Sequence, residues 1–218
     1  MMGLMLKSCL TIPKCVLTST LRSNVGVALI GTLPDINGII NTHRVSSETK
    51  QILNSPNAGG GSINSEAYAM EVLHRHFNAR SVTTEMDIKY YNPGWKKCDF
   101  ITRMSERVGV SVTRALTDKK SNPDTLDVAL DRLLVKKLTG LVVSRAGVDP
   151  NQSFYKSLLF VWSPDAVSSN IFRSLFQQIS ESNPLLTQDV NLILVETDED
   201  HLRTDFKQLK SIPYRIRR

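Results

Sequence analysis

Apolar residues recur along this chain in two rhythms, and the rhythms alternate. In "SEAYAMEVLHRHF", starting near Ser65, residues Ala69, Met70, Leu73, His76 and Phe77 fall at three- and four-residue spacing, which predicts a helix with one buried stripe. "SVTTEMDIKYY" (81–91) is rich in β-branched and aromatic residues and predicts a strand, closed by the turn "NPGW" (92–95). "KCDFIT" (97–102) and "VGVSVTRA" (108–115) predict two more strands about a turn at Ser105 to Arg107, making an antiparallel meander. In the second of these, Val108, Val110 and Val112 alternate with Gly109, Ser111 and Thr113, so one face is apolar and the other small and polar.

The strongest helical pattern follows, in "PDTLDVALDRLLVKKLTG" (123–140). Asp124 and Asp127 suit its positive end, Lys136 and Lys137 its last turn, and Gly140 its stop. "SLLFVW" (157–162) and "VNLILVET" (190–197) are continuous apolar runs of strand length, which a sheet covered on both faces produces. A helix over 164–179 separates them. The order is helix, three strands, helix, strand, helix, strand, and it predicts an α/β fold with a mixed central sheet flanked by helices.

On either side of residues 62–200, the expected core domain, the pattern weakens. Residues 45–64, with Ser, Asn, Pro and the glycines Gly59 to Gly61, predict a flexible linker closing an N-terminal extension over 1–61. Within that extension no acidic residue occurs from Met1 to Pro34, a composition that suits a mitochondrial presequence. The alternative is a lead-in whose "NVGVALIGTL" packs on the domain as a strand or short helix. Residues 201–218 form a basic tail.

Composition narrows the function classes. The 218 residues carry 27 Lys plus Arg against 21 Asp plus Glu, a formal charge of +6 that favours a polyanionic partner such as nucleic acid. No apolar run is long enough for a membrane helix, so no membrane partner is expected. Three scattered cysteines build no disulfide framework, which points to an intracellular protein of the cytoplasm or nucleus, or of mitochondria if the N-terminus is a presequence. The histidines show no zinc spacing. There is no G-x-S-x-G elbow, no G-x-G-x-x-G, and no Gly-Lys-Ser/Thr after the glycine run, which excludes the common serine-hydrolase, dinucleotide and Walker signatures.

Two acidic positions stand out. Glu66 opens the first helix in phase with its buried stripe, so it either complements the helix dipole or faces a site. Asp99 lies on the second strand, in phase with Ile101. Together with the order of elements, these residues resemble the PD-(D/E)XK, or restriction-endonuclease-like, superfamily, whose core runs αβββαβ. The "GVSVTRA" strand and "LLVKKLTG" helix are also similar to an uncharacterised eukaryotic family placed in it. The resemblance implies that Glu66 and Asp99 hold Mg²⁺ or Mn²⁺, which neutralises a scissile phosphate and acidifies a water. It also implies a carboxylate-x-lysine pair on the third strand, the lysine stabilising charge at the phosphate.

This chain departs from that pattern. Ser111 and Thr113 stand where the pair is expected, with Val112 between them. Either the site is altered but alive, or the fold is a binding module without catalysis. In the first case Glu66 and Asp99, with Glu85 or Asp87, hold the metal, Ser111 and Thr113 orient water, and Lys137 supplies the ammonium from the next helix. Lys96, Lys97, Arg114, Lys119, Lys120 and Lys136 cluster in sequence around these residues and suit phosphate contacts. Trp95, Tyr90 and Tyr91 are candidates either for stacking on bases or for packing.

Overall fold

The computed structural model describes residues 12–33, 45–56, 62–95, 98–115 and 123–197. Its elements in chain order are α1 (Lys14–Leu21), β1 (Ala28–Thr32), α2 (Ser47–Asn54), α3 (Ile63–Phe77), β2 (Arg80–Thr84), β3 (Phe100–Arg103), β4 (Arg107–Arg114), α4 (Pro123–Gly147), β5 (Lys156–Ser163), α5 (Ala166–Ser182), α6 (Pro184–Thr187) and β6 (Val190–Glu196). The strands form one six-stranded mixed sheet in the order β1-β6-β5-β4-β3-β2. The β2-β3-β4 meander is antiparallel, and β4, β5, β6 and β1 run parallel. The chain is therefore an α/β protein with a mixed sheet flanked by helices, as its apolar rhythm indicates.

Both faces of the sheet are buried, which is why β5 and β6 read as unbroken apolar runs. Leu158, Phe160 and Trp162 pack with Val110, Val112 and the residues of α1, α2 and α3. The intervening Leu159 and Val161 pack with Ile101 and the α4 stripe of Leu130, Leu134, Leu138 and Leu141. α3 is itself an inner helix. Ala67, Ala69, Met70, Val72 and Leu73 are fully buried because α1 and α2 cover the side turned away from the sheet.

Several local expectations are corrected. β2 is five residues long, not eleven: the Thr84 hydroxyl donates to the Asp87 carboxylate at 2.7 Å, and Glu85–Asp87 turn as a 3₁₀ helix. Glu85 and Asp87 therefore lie off the strand. The linker stretch 45–64 contains α2, capped by the Ser46 hydroxyl accepting from the Thr49 N–H at 3.1 Å. Its glycines, Gly59 to Gly61, lie outside the described residues. "NVGVALIGTL" supplies β1, which pairs with β6 at the sheet edge. α4 does not stop at Gly140, which is buried mid-helix, but runs to Gly147. There a Cβ would stand 2.1 Å from the Trp95 ring, so the ring takes the space that a side chain would need. Among the described residues no helix is long and apolar enough to cross a membrane.

Candidate functional site

The rim of the sheet at the start of β3 gathers residues from both helical layers. Asp99 precedes β3 directly, and the ladder sets Phe100 opposite Val110, so Asp99 comes beside Ser111. One carboxylate oxygen of Asp99 accepts from the Val112 N–H at 2.5 Å and from the Ser111 hydroxyl at 3.1 Å. Lys137 reaches the same place from α4. Its Nζ donates to the Val112 carbonyl at 2.9 Å and to Ser111 Oγ at 3.3 Å, and stands 3.9 Å from Asp99. Lys137 is half-buried beside the α4 leucine stripe, so its stem packs while its ammonium reaches the rim.

Glu66 arrives from the other side of the sheet, on the first turn of α3. It is 8% exposed and shares a small cleft with Asp99, Glu85, Thr84, Ile63 and the α2 end at Ile52, Ser55 and Pro56. The helix is seated here by the Trp162 indole, which donates to the Ser65 carbonyl at 3.1 Å. Burial pushes the Glu66 carboxyl up to about 7, and the Asp99 charge pushes the same way. Ser62 and Lys137 act against the shift without cancelling it, and Glu85 adds to it. The pair is thus a like-charge carboxylate pair with hydroxyl and ammonium groups on one flank.

The other candidates separate. Thr113 lies on the Ser111 face of β4, half-buried, and its side chain makes no hydrogen bond among the described residues. Arg114 ends β4 opposite Trp162, with burial lowering its pKa. Lys136 is exposed on α4, one residue from the ammonium that reaches the site. Asp87 is taken up by Thr84 and does not line the cleft. Lys96, Lys97, Lys119 and Lys120 lie outside the described residues. The Tyr90 hydroxyl is hydrogen-bonded to Ser144 Oγ at 2.6 Å and accepts from the Cys98 N–H at 3.2 Å, so its ring is a packing residue. Tyr91 and Trp95 remain 68% and 42% exposed.

Sequence reasoning missed one acid of consequence. Glu71, five residues after Glu66, is 1% exposed and accepts from the Ser46 N–H at 2.8 Å, the Thr49 hydroxyl at 2.7 Å and Arg75 Nε at 2.6 Å. It ties α2 to α3, and so sets one wall of the cleft. The pair Glu71 and Arg75 at four-residue spacing has the look of a solvent-facing ion pair; only the Ser46-Thr49 cap in the preceding segment offered a sign otherwise.

Among curated proteins, the chain is similar to the AAC-rich mRNA clone AAC4 protein of Dictyostelium discoideum, 34% identical over 133 residues. That match covers 58% of this chain and 19% of the relative, so the chain spans about a fifth of the relative's length. No family model matches the chain, and no solved structure matches it.

Proposed function

We propose that this protein is a divalent-metal-dependent phosphodiesterase of the PD-(D/E)XK type, acting on nucleic acid, with Glu66, Asp99 and Lys137 as its central residues. The observation that carries this is the convergence of Glu66, Asp99, Ser111 and Lys137 on the rim at β3 and β4, although they come from four elements on both faces of the sheet. The order α3-β2-β3-β4-α4-β5 is the αβββαβ order of that superfamily. Lys137 brings an ammonium to Ser111, on the strand whose lysine, in the carboxylate-x-lysine pattern, would otherwise supply one.

The donor set suits Mg²⁺ or Mn²⁺. Mg²⁺ is commonly held by one or two carboxylates, with waters and substrate phosphate completing the shell. Glu66 and Asp99 are two hard oxygen donors on one cleft; burial chiefly raises the Glu66 carboxyl, and the Asp99 charge that adds to it is a repulsion a dication relieves. Bound there, the ion would neutralise phosphate charge and acidify a water. The chain's own residues have separate tasks. Ser111 and the Val112 N–H fix the Asp99 carboxylate. Lys137, held by Val112 and Ser111, places positive charge where an oxyanion forms. Glu66, with Asp99, would supply the carboxylate oxygens that hold the ion.

A second reading is a nuclease-fold binding module without catalysis, and one observation favours it. Asp99 Oδ2 already accepts two hydrogen bonds, and among the described residues no group of three or more His, Cys, Asp or Glu is placed to hold a metal. Asp99→Ala distinguishes the two. With Mg²⁺ or Mn²⁺, the parent should cleave labelled single- or double-stranded DNA or RNA. The variant should lose at least about 10³-fold while keeping its circular dichroism spectrum and its oligonucleotide affinity at matched salt. A parent that cuts none of these substrates with either metal, yet binds them equally with and without Asp99, is a binding module.

A further inference from the structure

At the opposite end of β3 the sheet carries an arrangement that the described residues leave uncompensated. The ladder sets Arg80 opposite Arg103, and Arg103 opposite Arg107, so three arginines stand side by side on β2, β3 and β4. Like charges directly opposite one another on a sheet are destabilising. Arg80 escapes the row. The bulge between Arg80 and Val82, with Ser81 at φ 55°, accompanies a guanidinium bonded to His74 and Asn78 beside α3. Arg103 and Arg107 do not escape. Each is exposed, and by strand phase they share the face of Ile101 and Gly109. Arg107 donates one N–H to the Asn151 carbonyl at 2.6 Å. The Arg103 guanidinium makes no hydrogen bond or ion pair among the described residues. The one acid in the intervening turn, Glu106, pairs with neither.

These two guanidinium groups do not project from a convex surface. With Ser81, Thr83, Ile101 and Thr102 they line an open hollow of about 300 Å³ on the β2-β3 edge. Two planar, five-donor cations flank it, and Ser81, Thr83 and Thr102 are among its lining residues. That chemistry matches an oxyanion with several acceptor oxygens, which guanidinium groups bind in a bidentate fork.

We infer that the Arg103-Arg107 hollow binds a phosphate group, and that phosphate supplies the charge this row lacks. The site is distinct from the Asp99 cleft. Asp99, just before β3, and Arg103, its last residue, lie four residues apart, about 13 Å at the usual strand rise. One phosphate cannot serve both, and a polynucleotide backbone can. The inference does not depend on catalysis at Glu66 and Asp99, since a binding module would use the same hollow.

Arg103→Thr tests it, because Arg103 has no hydrogen-bond or ion-pair partner to lose among the described residues and Thr suits a strand. Two probes are used on the full chain: inorganic phosphate, read by thermal denaturation against chloride at equal ionic strength, and a labelled single-stranded oligonucleotide, read by anisotropy over a salt series. The variant should be as stable as the parent, or more so, in phosphate-free buffer. It should lose the phosphate-induced rise in Tm that the parent shows. Oligonucleotide affinity should fall, with the salt slope reduced by about one. The same changes in a mixed-sequence and a homopolymeric oligonucleotide identify backbone contact. A phosphate response that depends on Arg103, without any oligonucleotide response, assigns the hollow to a free phosphate or phosphomonoester. If the parent shows no phosphate-specific shift and Arg103→Thr leaves the oligonucleotide salt slope unchanged, there is no such site.

Discussion

Glu66 and Glu71 lie five residues apart on α3, both are buried, and they titrate in opposite directions. Burial raises both carboxyls. At Glu71 it is overcome by hydrogen bonds from Ser46, Thr49 and Arg75, and the pKa ends below the ordinary carboxylate value. At Glu66 burial meets the added charge of Asp99, and the pKa ends at about 7. The difference lies in what surrounds them. Glu71 faces α2, whose N-terminal end offers the Ser46 N–H and the Thr49 hydroxyl. Glu66 faces a cleft and a second carboxylate. A buried charge with a full set of donors is a structural tie, whereas one set against a like charge is tolerated where something external compensates it.

The lysine-aspartate pairs repeat the contrast. Lys156, at the start of β5, is 6% exposed and saturated: its Nζ donates to Asp189 Oδ1 at 2.5 Å, the Ser23 carbonyl at 2.7 Å and Asn24 Oδ1 at 3.0 Å. It fastens the segment before β1 to the loop before β6. Lys137 stands 3.9 Å from Asp99, on a rim where both side chains keep some exposure, 25% and 19%. The first pair closes a structure. The second leaves an ammonium and a carboxylate adjacent but not locked.

The sharpest way to break the comparison is Glu71→Ala. It strands a buried hydroxyl, a backbone N–H and the Arg75 guanidinium, and should cost about 3–4 kcal/mol. Urea unfolding measures this, and the m-value should hold if the state remains two-state. The tie also has a pH signature. A carboxyl with a depressed folded pKa stabilises above its unfolded value, and that contribution is lost as pH falls through the folded one. The parent should therefore lose this stability on acidification, and the variant should not. A loss under about 1 kcal/mol would mean that α2 is held chiefly by Ile52, and that Glu71 is not the tie.

The two glutamates also mark what sequence could disclose. Order, layers and strand faces follow from burial, and burial leaves a period in the sequence. Glu66 was legible because it falls in phase with Ala69, Met70 and Leu73, and Lys137 because it falls on the leucine stripe. Glu71 was not, because its burial depends on α2, an eight-residue helix with only Ile52 and Leu53 as aliphatic residues. The end of β2 at Thr84 and the continuation of α4 past Gly140 were illegible for a related reason. Each is decided by a partner distant in sequence or by one side-chain hydrogen bond, neither of which leaves a period.

Next in size is Lys156→Ala. It leaves Asp189, whose side chain is 22% exposed, and two further acceptors without their cation, and should cost about 3 kcal/mol. Lys137→Ala, at a partly exposed and unlocked pair, should cost under about 1 kcal/mol. Thermal denaturation of the two variants side by side tests this. Equal losses would show that the rim pair is as structural as the other, and would weaken the case for Lys137 as a functional ammonium.

The last effect is the most diagnostic, because its sign is unusual. Glu66→Gln should stabilise the protein, and only at higher pH. A carboxyl whose folded pKa is raised from 4.5 to about 7 holds its proton longer folded than unfolded. The native state therefore loses stability as pH rises between those values, by about 2–3 kcal/mol once Glu66 is ionised. Gln keeps the shape without the charge. Urea unfolding across this range should show parent and variant equal near pH 4.5 and diverging until about pH 7, the variant the more stable. Under the proposed function, Mg²⁺ should recover the lost stability in the parent and have little effect on the variant, since ligand that binds only the folded state stabilises it by mass action. Parallel pH profiles would mean that Glu66 is compensated within the chain as Glu71 is, and the contrast between them would fall. Diverging profiles that Mg²⁺ leaves apart would keep the electrostatic contrast while removing the metal from it, which is the outcome the binding-module reading requires.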